Sequence, residues 1–188
     1  MSQLPLGIIS QGGATASPAF ELISTTTLGA ATSSITISSI PATYTSLQLR
    51  VVGRSANATI FDELLLRFNA DSGANYGYKQ IIIDAVSGSA SSATAQTGLR
   101  IYGIHGNSAT ANNFAAVKMD ITGHKDTNKK TSVRGFGGPV NFGASWAANG
   151  SLFGGIWNAT TVVTSLTISA YSGANLQTGT RVSLYGVL

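Results

Sequence analysis

From Phe20 to the end of the chain, apolar residues alternate with small polar ones in short runs, and glycine, asparagine and proline separate the runs. Ile35, Ile37 and Ile40 stand among serines and threonines, and Leu47, Leu49 and Val51 repeat the pattern a few residues on. Successive side chains of a strand point to opposite faces, so this spacing predicts strands with one buried and one polar face. The expected strands are Phe20–Thr26, Ser34–Ile40, Ser46–Arg54, Leu64–Phe68, Tyr78–Ala85, Leu99–Ile104, Phe114–Thr122, Ser132–Phe136, Leu152–Trp157, Ser165–Tyr171 and Arg181–Leu188. Turn-forming residues punctuate them at Pro41, Asn69 to Gly73, Gly106-Asn107, Gly137 to Pro139, Asn149-Gly150 and Gly173 to Asn175. No stretch of helical period competes. The prediction is an all-β fold, an antiparallel two-sheet β-sandwich of jelly-roll-like connectivity, formed by one domain over residues 19–188.

Three segments stand outside that pattern. Residues 1–18 form an extended N-terminal arm, rich in glycine, alanine and serine, that carries Leu4, Leu6, Ile8 and Ile9. Such an arm either frays or docks on a neighbouring subunit or partner, by strand addition or by packing into a groove. Val86 to Thr97 is uncharged and of low complexity, and reads as a long flexible loop. Ser-Gly-Ala-Asn occurs at Ser72 to Asn75 and again at Ser172 to Asn175, and with unmatched flanks it reads as reuse of a good turn.

Composition narrows the function. Charged residues are 10% of the 188 and hydrophobic ones 43%, which excludes a disordered chain and leaves a polar surface built largely of hydroxyls. That neutrality suggests a surface made to be contacted. The 11 Lys and Arg exceed the 7 Asp and Glu by only four. Lys125, Lys129, Lys130 and Arg134, beside Asp126, read as a solvated loop between two strands, so direct nucleic-acid binding is not expected. With no cysteine, neither a disulfide framework nor a thiolate metal site is available, as suits a protein folded in a reducing cytoplasm. The opening MSQLPLGIISQGG lacks a basic leader, and no run nears the roughly 18 apolar residues of a membrane span.

A search for chemistry returns nothing. His105 and His124 each lie near a turn and are expected at the surface, and Gly143 to Ala147 misses the nucleophile-elbow pattern at its last position. Asp62 and Glu63, adjacent in a strand, would face opposite sides and cannot form a carboxylate dyad. Asp120, His124 and Asp126 have ligand chemistry without a specific spacing, and Gly135 to Gly138 lacks the lysine of a phosphate loop. The expectation is a protein without enzymatic activity, metal or cofactor. Among the aromatics, Trp157 and Phe153 fall at core positions, whereas Trp146 in NFGASWAANG is a candidate interface anchor beside Leu4, Leu6, Ile8 and Ile9.

The chain also resembles a module that recurs in structural proteins of tailed bacteriophages. The likeness spans most of residues 20 to 188. It is carried by Glu21-Leu22-Ile23 before a threonine run, Ile40 to Tyr44 before Leu47 to Arg50, Arg67-Phe68-Asn69 before the turn at Asp71 to Gly73, and Ser183 to Gly186 near the C-terminus. The resemblance implies a β-sandwich of the virion: a capsid decoration or cement protein on the head's outer surface, assembled in the host bacterial cytoplasm. Its implied partners are the major capsid protein and further copies of itself, as a homotrimer. The alternative it leaves open is a head-fibre or tail-tip module that reads host glycan through loop residues such as Trp146, Tyr76 and Tyr78.

Overall fold

The structure is a computed structural model and describes residues 19–83, 87–141, 147–148 and 150–188. Among them are fourteen strands and no helix. The first nine are β1 (Phe20–Thr27), β2 (Ser34–Ile37), β3 (Ser46–Gly53), β4 (Phe61–Phe68), β5 (Tyr76–Ile83), β6 (Gly88–Gln96), β7 (Leu99–His105), β8 (Ala115–Thr122) and β9 (Thr131–Gly138). After the two-residue β10 (Val140–Asn141) and β11 (Ala147–Ala148) come β12 (Gly150–Trp157), β13 (Leu166–Ala170) and β14 (Arg181–Val187). Each strand expected from the sequence is present, with its ends shifted by a few residues.

Two antiparallel sheets pack as a sandwich. The large sheet has eight strands in the order β1-β14-β3-β8-β9-β12-β5-β6, and the small sheet has four in the order β2-β13-β4-β7. Consecutive strands β1, β2 and β3 therefore divide between sheets, and β2 and β3 turn their apolar alternation inward, whereas Phe20 and Leu22 of β1 are exposed. Leu47, Leu49 and Val51 of β3 face Leu64, Leu66 and Phe68 of β4 and Leu166 and Ile168 of β13 in one core, all at most 1% exposed.

Three features of the core position the surface described below. Phe68, Tyr76 and Trp157 form a stack, with the Phe68 and Trp157 centroids 5.5 Å apart. Trp157 sits at 3% exposure, the core position its spacing suggested, and its Nε1 donates to Asp71 Oδ2 at 2.7 Å. That bond holds the Asp71 carboxyl below the usual carboxylate range, while burial pushes the Tyr76 phenol up to about 12. The Phe153 ring lies directly on Gly135 of the neighbouring strand, and the Tyr44 ring on Gly186; a Cβ at either glycine would collide with the ring.

Three expectations are corrected. Most of the expected loop Val86–Thr97 is a strand: Val86 lies outside the described residues, and Gly88–Gln96 form β6, paired with β5 from Ile83↔Gly88 to Tyr76↔Gln96. As an outermost strand exposed on both faces it buries no apolar set, so it shows no alternation to find. His105 and His124 are at 1% and 0% exposure, not at the surface. Tyr76 and Tyr78, named as glycan anchors, lie in the core at 1% and 8% exposure. Asp62 and Glu63, by contrast, are both buried yet keep opposite parities along β4, Asp62 with Leu64, Leu66 and Phe68 and Glu63 with Leu65 and Arg67; the register shift beside them skips Gly103 of β7.

Candidate interaction surface

The polar groups of the interior are wired for structure. Arg54, 5% exposed, donates from Nη1 to the carbonyls of Thr110 (2.7 Å) and Asn113 (3.2 Å), and from Nη2 to those of Asn107 (3.0 Å) and Ala109 (2.9 Å). One guanidinium thus satisfies the backbone of the β7–β8 connection. Asp62 Oδ2 accepts from the hydroxyls of Ser55 (2.6 Å) and Ser172 (2.7 Å), while Glu63 pairs with Arg100, whose guanidinium lies 4.4 Å from the Tyr171 ring. The two carboxylates therefore serve separate partners, as a failed dyad should. The serine hydroxyls give their protons to a carboxylate rather than to a histidine, so neither is an activated nucleophile.

His105 Nδ1 and both nitrogens of His124 are buried without hydrogen-bond partners. Desolvation pulls both imidazoles below their ordinary pKa, helped at His124 by the charge of Lys125 and at His105 by that of Arg54, so both rings are neutral at pH 7. Asp120 is bonded to Gln48 on the outer face of the sheet while His124 is in the interior, so the candidate ligands are not brought together. Among the described residues no group of three His, Cys, Asp or Glu side chains could hold a metal.

The outer face of the large sheet is different. Register partners form a row that crosses it, beginning with the hydroxyls of Thr25 and Ser183 and passing through the cations Arg50 and Lys118. The same row continues through Phe136, Leu152 and Ile81, which oppose one another on β9, β12 and β5. These three are 56%, 57% and 50% exposed. Ile83 and Ile156 are exposed on the same strands, so five large apolar side chains stand exposed on three adjacent strands, with the Lys118 Nζ 5.9 Å from the centroid of the Phe136 ring. Single exposed apolar residues are ordinary, but a contiguous group marks a contact surface.

The next row along the strands runs through Asp120, Arg134, Gly154 and Lys79. Between the two rows lies a transverse trough of about 730 Å³. Phe136, Leu152 and Ile81 make one wall, Arg134 and Lys79 stand on the other, and Gly154, which has no side chain, leaves the floor open. A Cβ added at Gly154 would meet only the Val133 carbonyl oxygen, at 3.7 Å. Asp120 is already engaged by Gln48 Nε2 at 2.8 Å, and Gln48 accepts from Arg50 Nε at 2.7 Å. Among the described residues the ion pairs are Arg100–Glu63 and Lys129–Asp126, so Lys79 and Arg134 face outward unpaired. The trough is thus apolar on one side and cationic on the other. It suits a protein surface that presents aliphatic groups flanked by carboxylates.

None of the interface residues expected from the sequence is among those of this face: Leu4, Leu6, Ile8, Ile9 and Trp146 lie outside the described residues. A signal was present, however: Ile81-Ile82-Ile83 and Leu152-Phe153 put apolar residues at both parities of a strand, where the rest of the chain places serine or threonine on one. The basic segment His124 to Arg134, expected as a loop between two strands, connects β8 and β9 only as far as Lys130; Arg134 lies on β9, and His124 is turned inward. No family model, no curated protein and no solved structure matches this chain.

Proposed function

We propose that this protein is a structural component of a tailed-phage virion, a decoration or cement protein that binds the major capsid protein on the outer surface of the head. The observation that carries the reading is the exposed apolar row Phe136, Leu152 and Ile81 beside the unpaired cations Lys79 and Arg134, a face with the chemistry of an interface and no reactive group in it. The resemblance of Glu21-Leu22-Ile23, Ile40 to Tyr44 and Ser183 to Gly186 to phage structural modules supplies the setting. The mechanism is mass action. Each copy bound to the assembled shell and not to its dissociated subunits stabilises the shell, by about 2.7 kcal/mol at a free concentration 100 times the Kd. The glycan-binding alternative is weaker, since Tyr76 and Tyr78 are core residues and cannot stack on a sugar.

Shells assembled with and without the protein provide the test. Decorated shells are expected to open at a higher temperature and to carry the protein in hundreds of copies. Equal opening temperatures, or a stoichiometry of a few copies per particle, would contradict the proposal and favour a tail or vertex location.

A further inference from the structure

The two outer edges of the eight-stranded sheet are protected unequally. β1, at one edge, carries Glu21 and a register shift between Leu22 and Ser24, both of which hinder pairing with another strand. β6, at the other edge, has neither charge nor proline in its nine residues, GSASSATAQ; its own register shift, with Ala95 at a φ of 55°, lies at its far end between Ala93 and Gln96 and leaves Gly88 to Ala93 in regular register along β5. Its side chains are small and exposed, and beside it on the outer face stand Ile81 and Ile83. Among the described residues no strand pairs with this edge, and an edge of this kind is a template for strand addition.

We propose that residues 4–9 of a second copy of this chain add to the free edge of β6 as a ninth strand. At strand period Leu4, Leu6 and Ile8 fall on one face, where they prolong the apolar row beyond Ile81 and Ala90. Pro5, which lacks an amide proton, is tolerated in an outermost strand when its nitrogen faces away from the sheet. Residues 1–18 contain no charged side chain, so nothing in the segment opposes an uncharged edge. Geometry selects a second copy over the same chain. The arm leads into β1, seven strand spacings from β6, a distance of about 34 Å at roughly 4.8 Å per spacing. The ten residues from Ile9 to Ala19 span at most about 33–36 Å when fully extended. To reach its own β6 the linker, with Gly12 and Gly13 in it, would have to be drawn straight across the sheet. A neighbouring copy imposes no such constraint, and exchange of this kind links copies whether or not the partner surface is a shell.

The chain has no cysteine, so single introduced cysteines report contacts directly. Copies bearing Leu4→Cys or Leu6→Cys are mixed under mild oxidation with copies bearing Ala90→Cys or Ser92→Cys, two residues on the outer face of β6. Thr27→Cys on β1 serves as the control edge. The expected result is a crosslinked pair of chains with a β6 cysteine and none with Thr27→Cys, together with conversion of the wild-type oligomer to monomer in native mass spectrometry when residues 2–17 are deleted. The proposal is overturned if no β6 pairing forms in any combination, if the control edge crosslinks instead, or if the Leu6→Cys/Ala90→Cys double variant closes only within one chain. Unchanged assembly of the deleted chain would overturn it equally.

Discussion

The inner and outer faces of β9 and β12 are made by the same strands, residue by alternate residue, yet they follow different rules. Phe153 points inward, is 7% exposed and is matched by Gly135, whose missing side chain makes room for the ring; Leu152, its neighbour, points outward at 57% exposure and is matched by nothing. Both faces use glycine. Inside, Gly135 and Gly155 are filled by Phe153 and Leu99, whereas outside Gly154 leaves a floor with no occupant. The comparison separates residues that exist to fold the sheet from residues that fold has no use for. The latter are the ones to assign to a partner.

The largest expected effect is on the inner face. Gly135→Val places a branched side chain against the Phe153 ring and the Lys118 carbonyl oxygen, and is expected to cost about 3 kcal/mol or abolish folding, read by urea denaturation. Gly154→Ala, one strand away on the outer face, is expected to change stability by less than about 0.5 kcal/mol. Equal effects of the two would erase the distinction. Next in size is Arg54→Met, which withdraws the guanidinium from four backbone carbonyls, of which that of Thr110 keeps the Asn113 N–H, and should cost about 2–3 kcal/mol.

A smaller effect follows from His105 and His124. Their pKa values are depressed in the folded protein, so as pH falls through and below about 6.5 the unfolded chain takes up protons first. Stability is therefore full above that range and declines as pH drops toward the folded-state values. Thermal melts between pH 7.5 and 5 should show the decline, and His124→Leu should flatten it. A melting temperature that rises on acidification would contradict the buried placement of these rings.

Much of the fold was legible because burial imposes a period. Ile35, Ile37, Leu47, Leu49 and Val51 each alternate with a polar neighbour, and each is buried where that alternation put it. β6 was not legible, since an edge strand of Gly, Ser, Ala and Thr carries no apolar face to generate a pattern. The histidines misled for a related reason: their neighbours Gly106 and Gly123 signal turns, but a residue beside a turn can still project into the core, as His124 does. The outer apolar face was half legible. Its isoleucine run at 81–83 reads as part of a strand, but only the register with Leu152 and Phe136 shows that its odd-numbered members meet an exposed patch. Register across three strands is a long-range property, and no local period encodes it.

The central claim is that the outer face serves a partner and not the fold. Its most direct test is the double variant Phe136→Ser/Leu152→Ser, measured both for stability and for binding to purified shells. The claim predicts a change in unfolding free energy of no more than about 0.5 kcal/mol and a loss of shell affinity of tenfold or more, about 1.4 kcal/mol. Unchanged affinity, or a loss of stability as large as that of an inner-face variant, would contradict it.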